Sequence, residues 1–174
     1  MSDSETAYVA LLRAVNVGGR KLVMQELKAI ADELGLNAPR TFIASGNLLF
    51  TSNKGESALA SMLSSAIGKH MGADVPVLVR TAVEMAEVAD ANPFPHVPGN
   101  RVVAIFLEAP ASADALTTAT GVADERMALG KREIYVAYGS GIADSKLKIP
   151  VAARGTARNM NSVAKMAALL KEME

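Results

Sequence analysis

The chain has 174 residues, half of them hydrophobic, enough to bury a core in one domain or two small lobes and too apolar for a disordered polymer. Its 18 Lys plus Arg balance 18 Asp plus Glu, so no overall positive field draws it to nucleic acid or anionic lipid. The absence of cysteine excludes disulfides, thiolate metal ligands and cysteine nucleophiles, and neither His70 nor His96 has a partner at metal-ligand spacing, so no metal site is expected.

The opening "MSDSET" lacks the basic and apolar regions of a signal peptide, and no apolar run approaches the roughly 20 residues of a membrane helix. The expectation is a soluble, cytoplasmic chain with no membrane partner. Residues 8 to 13, "YVALLR", are apolar on both alternating faces and read as a covered strand. Val23, Leu27, Ile30 and Leu34 then recur at helical spacing, with Gly35 at the stop. A strand resumes after Pro39, and "TFIAS", 41 to 45, and "LLFTS", 48 to 52, flank Gly46-Asn47 as a two-residue type II′ hairpin. Leu59, Met62, Leu63, Ala66, Ile67 and Met71 form a second helical stripe, and "VPVLVR", 75 to 80, is a strand whose Pro76 favours an edge.

The first eighty residues thus read β-α-β-β-α-β, the order of a ferredoxin-like split βαβ unit, or alpha-beta plait. Thr81 to Glu84 has the spacing of a capping box, which starts a linking helix running to about Asn92. "NPFPHVPGN", 92 to 100, is a stiff, turn-rich junction, and it divides the chain into a ferredoxin-like lobe over 1–92 and a second α+β lobe over 93–174. Beyond it come a strand over 101 to 108, a short helix from Ala111 to about Thr120, and a strand pair over 125 to 129 and 133 to 138. This repeats the β-α-β-β order. A Gly-rich, basic segment from Gly139 to Asn161 precedes a helix carrying Val163, Met166, Ala167 and Leu170 on one face. The fold class is α+β.

In the usual 4-1-3-2 arrangement of such a unit, strands one and two run parallel with strand three between them. The loop with Asn16, Gly18 and Gly19 then shares a rim with Ser45-Gly46-Asn47. The segments "YVALLRAVNVGGRKLVMQELKAI", "RTFIASGNLLF", "ANPFP", "SKL" and "TARNMNSVAKMAALL" together resemble the mainly bacterial domain-of-unknown-function 1697 family over nearly the whole chain. Ala14 and Met160 depart from that pattern, where a glycine and a tryptophan are expected. The resemblance implies a two-lobed α+β fold on a ferredoxin-like unit, and it implies no activity or cofactor.

The candidate ligand-binding residues fall in three places. Gly18 and Gly19 ahead of Arg20 at a helix start suit an anion, through backbone N–H groups, helix dipole and cation, with Arg13 as a second cation and Asn16 beside them. The rival reading is a strand-to-helix turn, since the Walker pattern is absent. Ser45 and Asn47 either build the hairpin or offer donors and acceptors to a polar ligand. In "TARNMNSVAK", Arg158 is a planar fork for phosphate or carboxylate, and Thr156, Asn159 and Asn161 contact the ligand or cap the following helix, with Lys146 joining from the preceding loop. The structural rival for Arg158 is an ion pair. Ser162-x-x-Lys165 lacks the companion elements of penicillin-binding enzymes, Gly139-x-Gly141 lacks the third glycine of a dinucleotide fingerprint, and the methionines fit apolar helix faces.

Two functions remain open. One is a protein that binds a small anionic or phosphorylated ligand at the polar rim or between the lobes, with no residue assigned to catalysis and no cofactor called for. The other is an interaction or homo-oligomerisation module. Single-stranded RNA binding on the sheet is opposed by the sequence, because "LLFTS" offers only Phe50 as a stacking aromatic.

Overall fold

The computed structural model describes residues 5–13, 16–17, 20–42 and 46–174, the side chains of Asn16, Val17 and Arg20 excepted. It is an α+β structure with two four-stranded antiparallel sheets and four α-helices among the described residues. By compactness it divides into Met1–Glu84 with Met166–Glu174, and Met85–Lys165.

The first unit contains β1 (Thr6–Leu12), β2 (Asn16–Val17), β3 (Arg20–Lys21), α1 (Met24–Glu33), β4 (Asn37–Thr41), β5 (Asn47–Ser52), α2 (Glu56–Met71) and β6 (Val77–Thr81), followed by the start of α3 (Ala82–Asp90). The long strands lie in the order β4-β5-β1-β6, each antiparallel to its neighbour. β1 and β4 therefore run the same way. Leu11 faces Asn47 and Thr41 faces Leu48, so both strands finish at one end of the sheet.

Side chains alternate across the sheet. Tyr8, Ala10, Leu12, Leu48, Phe50, Val77 and Val79 face the buried stripes of α1 and α2, which supply Leu27, Ile30, Leu59, Leu63, Ile67 and Met71. Tyr8 lies opposite Phe50 on the neighbouring strand, and the rings stack at 5.8 Å. The other face, with Ala7, Val9, Leu11 and Leu49, is also buried, and so is Arg80, only 1% exposed. The capping box forms in both directions: Thr81 N–H donates to Glu84 Oε1 at 2.9 Å and Glu84 N–H to Thr81 Oγ1 at 3.1 Å.

Three details differ from the sequence reading. β4 begins at Asn37 and includes Pro39, because an edge strand has a side where a missing N–H breaks no ladder bond, and its register shifts between Asn37 and Arg40. Asn47 is the first residue of β5 and not a turn residue. Its carbonyl accepts Phe42 N–H at 3.1 Å and its buried Nδ2 donates to Phe42 O at 3.0 Å, which leaves a connection longer than two residues. Arg20 and Lys21 do not open a helix. They pair as β3 with β2, Val17 facing Arg20 and Asn16 facing Lys21, and α1 starts only at Met24.

The second unit holds β7 (Val102–Phe106), β8 (Arg126–Leu129), β9 (Glu133–Ala137), β10 (Thr156–Asn159) and the first part of α4 (Met160–Glu172), in the order β10-β7-β9-β8, again all antiparallel. Numbered along the chain, the strands of each unit stand second-third-first-fourth in the first unit and fourth-first-third-second in the second, which is one order read from opposite edges. One face packs Val103, Ile105, Leu107, Ile134, Val136 and Ile149 together. On the other, Tyr135 OH donates to Val88 O of α3 at 2.8 Å.

The helix expected over 111 to 120 is only a 3₁₀ turn, Ala115–Thr118. Its hydroxyls explain the shortening, since Thr117 Oγ1 bonds Asp114 O at 2.7 Å and Thr118 Oγ1 bonds Ala115 O at 2.9 Å, competing for backbone carbonyls. β10 was hidden inside the Gly-rich segment, because "TARN" has three polar residues in four and no apolar alternation.

Candidate functional site

The polar junction where β10 becomes α4 concentrates four of the candidate residues. Gly155 leads into it, and a Cβ there would lie 2.6 Å from Phe106 O, so a side chain would push the edge strand off β7. Thr156 and Arg158 share a face by strand periodicity, opposite Phe106 and Ala104. Arg158 Nη1 donates to Thr156 Oγ1 at 2.7 Å and to Ala157 O at 2.9 Å. Burial disfavours its charged form and pulls its pKa down to about 10, which still leaves it a cation at neutral pH. Asn159 ends the strand and caps the helix, its Oδ1 accepting Ser162 N–H at 2.9 Å. Asn161 is exposed in the first turn, and its Oδ1 lies against Gly99, where a Cβ would come within 2.1 Å.

Lys146 lies elsewhere in the same unit, in a cleft of about 540 Å³ lined also by Asp124, Glu125, Ser140, Asp144 and Ser145. Two of its carboxylates are engaged: Ser140 Oγ donates to Asp124, Ser145 Oγ to Glu125, and Ala123 N–H to Glu125 at 2.7 Å. The Ser145 hydroxyl, with that backbone N–H, holds the Glu125 carboxyl below its usual range. This setting is one for a structural loop tie, and it changes the expected company of Lys146.

Of the first-unit candidates, Arg13 follows the end of β1 and Asn47 opens β5 opposite Leu11, at one end of the four-stranded sheet. Arg13 is half-buried and its backbone N–H donates to Pro76 O at 3.1 Å, while the Asn47 carboxamide bonds Phe42 O. Asn16 and Arg20 are placed by backbone alone, and Gly18, Gly19 and Ser45 lie outside the described residues.

Two residues went unnoticed in the sequence. Arg80 sits on β6 opposite Val9, its Nη1 donating to Val79 O at 3.2 Å, and is followed by the capping Thr81. Gly99 touches Asn161. A shared pattern marks the first: an arginine and then a capping residue before a helix, Arg80-Thr81 and Arg158-Asn159. Among the described residues no group of three or more His, Asp or Glu is placed to hold a metal ion, and no helix is long and apolar enough to cross a membrane.

No curated protein matches this chain. The conserved bacterial protein SP0830 from Streptococcus pneumoniae has a similar structure, at TM-score 0.78 and 26% identity, over 96% of this chain and 99% of that one. The family model described as "Protein of unknown function (DUF1697)" matches residues 6–135, from β1 into β9, stopping short of β10. The chain belongs to the DUF1697 family.

Proposed function

We propose that the protein binds a small anionic or phosphorylated ligand through Arg158 at the β10–α4 junction. The observation that carries this reading is the Arg158 guanidinium, partly withdrawn from water, with Nη1 fixed by Thr156 Oγ1 and Ala157 O. A desolvated cation gains most from an anion, and a planar fork suits carboxylate or phosphate oxygens. The junction also lies at the positive end of α4, which favours negative charge. Catalysis is not part of the reading. A ferredoxin-like first unit is supported by its strand order with α1 and α2 as crossovers, and a cytoplasmic setting by balanced charge and the lack of cysteine.

Thermal unfolding of the full chain with inorganic phosphate, pyrophosphate, AMP and citrate tests this. A ligand at 100 times its dissociation constant adds about 2.7 kcal/mol, or roughly 5–10 °C in Tm for a chain of this size. Arg158→Gln removes the shift if the reading is correct. No stabilisation by any anion, or equal stabilisation of the variant, refutes it.

A further inference from the structure

An antiparallel edge strand turns every second residue's main-chain groups outward. In the second unit β8 is such an edge, with β9 as its neighbour. Gly130 N–H donates to Glu133 O at 2.7 Å, so these two form a hydrogen-bonded pair, and the alternation then turns Ala128 and Arg126 inward to Tyr135 and Ala137. Met127 and Leu129 therefore direct their N–H and C=O groups outward. Among the described residues, no backbone group bonds either of them from that side. The β4 edge of the first sheet carries Pro39 and a register shift, both of which blunt an edge. β8, "RMAL", has neither. Its side chains carry the core to the rim: Met127 packs against the cluster of Val103, Ile105 and Val136, and Leu129, opposite Ile134, is 38% exposed.

We infer that β8 is a docking edge for a second copy of this chain, which adds its own β8 antiparallel across a two-fold axis. Outward groups must meet outward groups, and this leaves few registers. With Ala128 opposite Ala128 of the second copy, Met127 faces Leu129 of that copy and exchanges both hydrogen bonds with it. The closely spaced, non-hydrogen-bonded position on the axis then falls to two small alanines. Sliding one copy by two residues puts Met127 opposite Lys131, or Leu129 opposite the buried Glu125. The central register also matches charge: acidic Asp124-Glu125 precedes β8 and basic Lys131-Arg132 follows it, so antiparallel copies lay acid beside base at both ends. This is complementarity of sign along the edge, whatever bonds these side chains make within their own copy. The interface goes beyond the anion-binding reading, and nothing in it depends on Arg158.

Sedimentation velocity of the full chain from about 5 to about 500 µM, at low and high salt, tests this. A contact this short makes a weak dimer, with a dissociation constant on the order of 100 µM. Wild type is expected to pass from monomer to dimer across that range, less readily at high salt. Amide hydrogen exchange at Met127 and Leu129 slows as the dimer forms, while that of Arg126 and Ala128, already bonded to β9, does not change. Leu129→Lys puts a charge on the edge and weakens the dimer roughly tenfold or more. Asp124→Lys and Arg132→Glu each weaken it roughly fivefold by setting like charges side by side. The double variant, with the signs exchanged, returns to within about twofold of wild type, a rescue that mere damage to either loop would not give.

A chain that stays monomeric throughout overturns the inference and leaves the edge to a strand of another protein. So does a dimer in which exchange at Met127 and Leu129 stays fast, or one that Leu129→Lys leaves intact. Losses that persist in the double variant overturn the two-fold register, and the inference with it. If Leu129→Lys does not fold, the exchange of Met127 and Leu129 in wild type decides alone.

Discussion

Gly121 should be the costliest glycine to replace in the second unit. Its φ is +71°, and a Cβ there would lie 2.0 Å from the Lys146 carbonyl oxygen and 2.7 Å from its carbon, both main-chain atoms that no rotamer change removes. The left-handed conformation alone costs alanine about 1–2 kcal/mol. To clear the clash, the stretch of chain over 144–148 must also move away, and it is tied there by Thr120 N–H to Lys148 O at 2.9 Å and Lys148 N–H to Thr120 O at 2.8 Å. Losing that pair adds roughly 1–3 kcal/mol. Gly121→Ala is therefore expected to destabilise by about 2–5 kcal/mol. Gly141 is the internal control. It has φ +99° and nothing within 4 Å of the place a Cβ would take, so Gly141→Ala bears only the backbone term. Urea unfolding of both variants against wild type measures the difference, provided the slope is unchanged. Equal losses in the two would refute the steric account and leave backbone strain as the whole effect.

Other substitutions test single contacts. Thr81→Ala opens the reciprocal capping box and should cost about 1 kcal/mol in the same assay, with Thr81→Ser retaining most of it. Tyr135→Phe leaves Val88 O without its 2.8 Å donor and should cost about 1–2 kcal/mol. Burial, then Glu133, raises the Tyr135 pKa from 10.0 to about 12, so the unfolded tyrosine ionises first and this contribution is present below pH 10 and lost as pH rises toward 12. The stability gap between wild type and Tyr135→Phe should shrink across that interval in alkaline denaturation. Glu125 has the opposite sign: its carboxyl is held below the usual 4.5, so its contribution is present above that value and fades as pH falls through the lower folded one. Ser145→Ala removes the largest cause, and its deficit against wild type should diminish on acidification.

Periodicity carried most of the fold, and the losses have local reasons. The stripes Leu59-Leu63-Ile67-Met71 and Val163-Met166-Leu170 are buried as their spacing requires, and the alternation of "YVALLR" gives a strand covered on both faces. β10 escaped because an edge strand with Ala157 exposed and Arg158 and Asn159 half-buried has no apolar rhythm to read. Asn47 escaped because a carboxamide that bonds a neighbouring carbonyl inside a sheet looks, in sequence, like a turn residue. The candidate site was partly legible. "TARNMN" stood out by its density of side-chain donors, whereas Gly99 lies 62 positions before Asn161 and nothing local announces that the two touch.

The two arginines that end a fourth strand show why composition alone does not mark a site. Arg80 and Arg158 each face the first strand of their sheet, Arg80 opposite Val9 and Arg158 opposite Ala104. Each sends Nη1 to the carbonyl of the residue before it, and each is followed by a side chain that caps the next helix at its third residue. The backbone device is the same in both units. What differs is the residue two positions earlier and the access to water: Leu78 in β6, Thr156 in β10, with Arg80 at 1% exposure and Arg158 half-buried. A sealed guanidinium holds structure. One that a hydroxyl braces on one edge, and that still meets solvent, is the feature on which the proposed anion site rests. That difference, and not the arginine itself, is what singles out the β10–α4 junction.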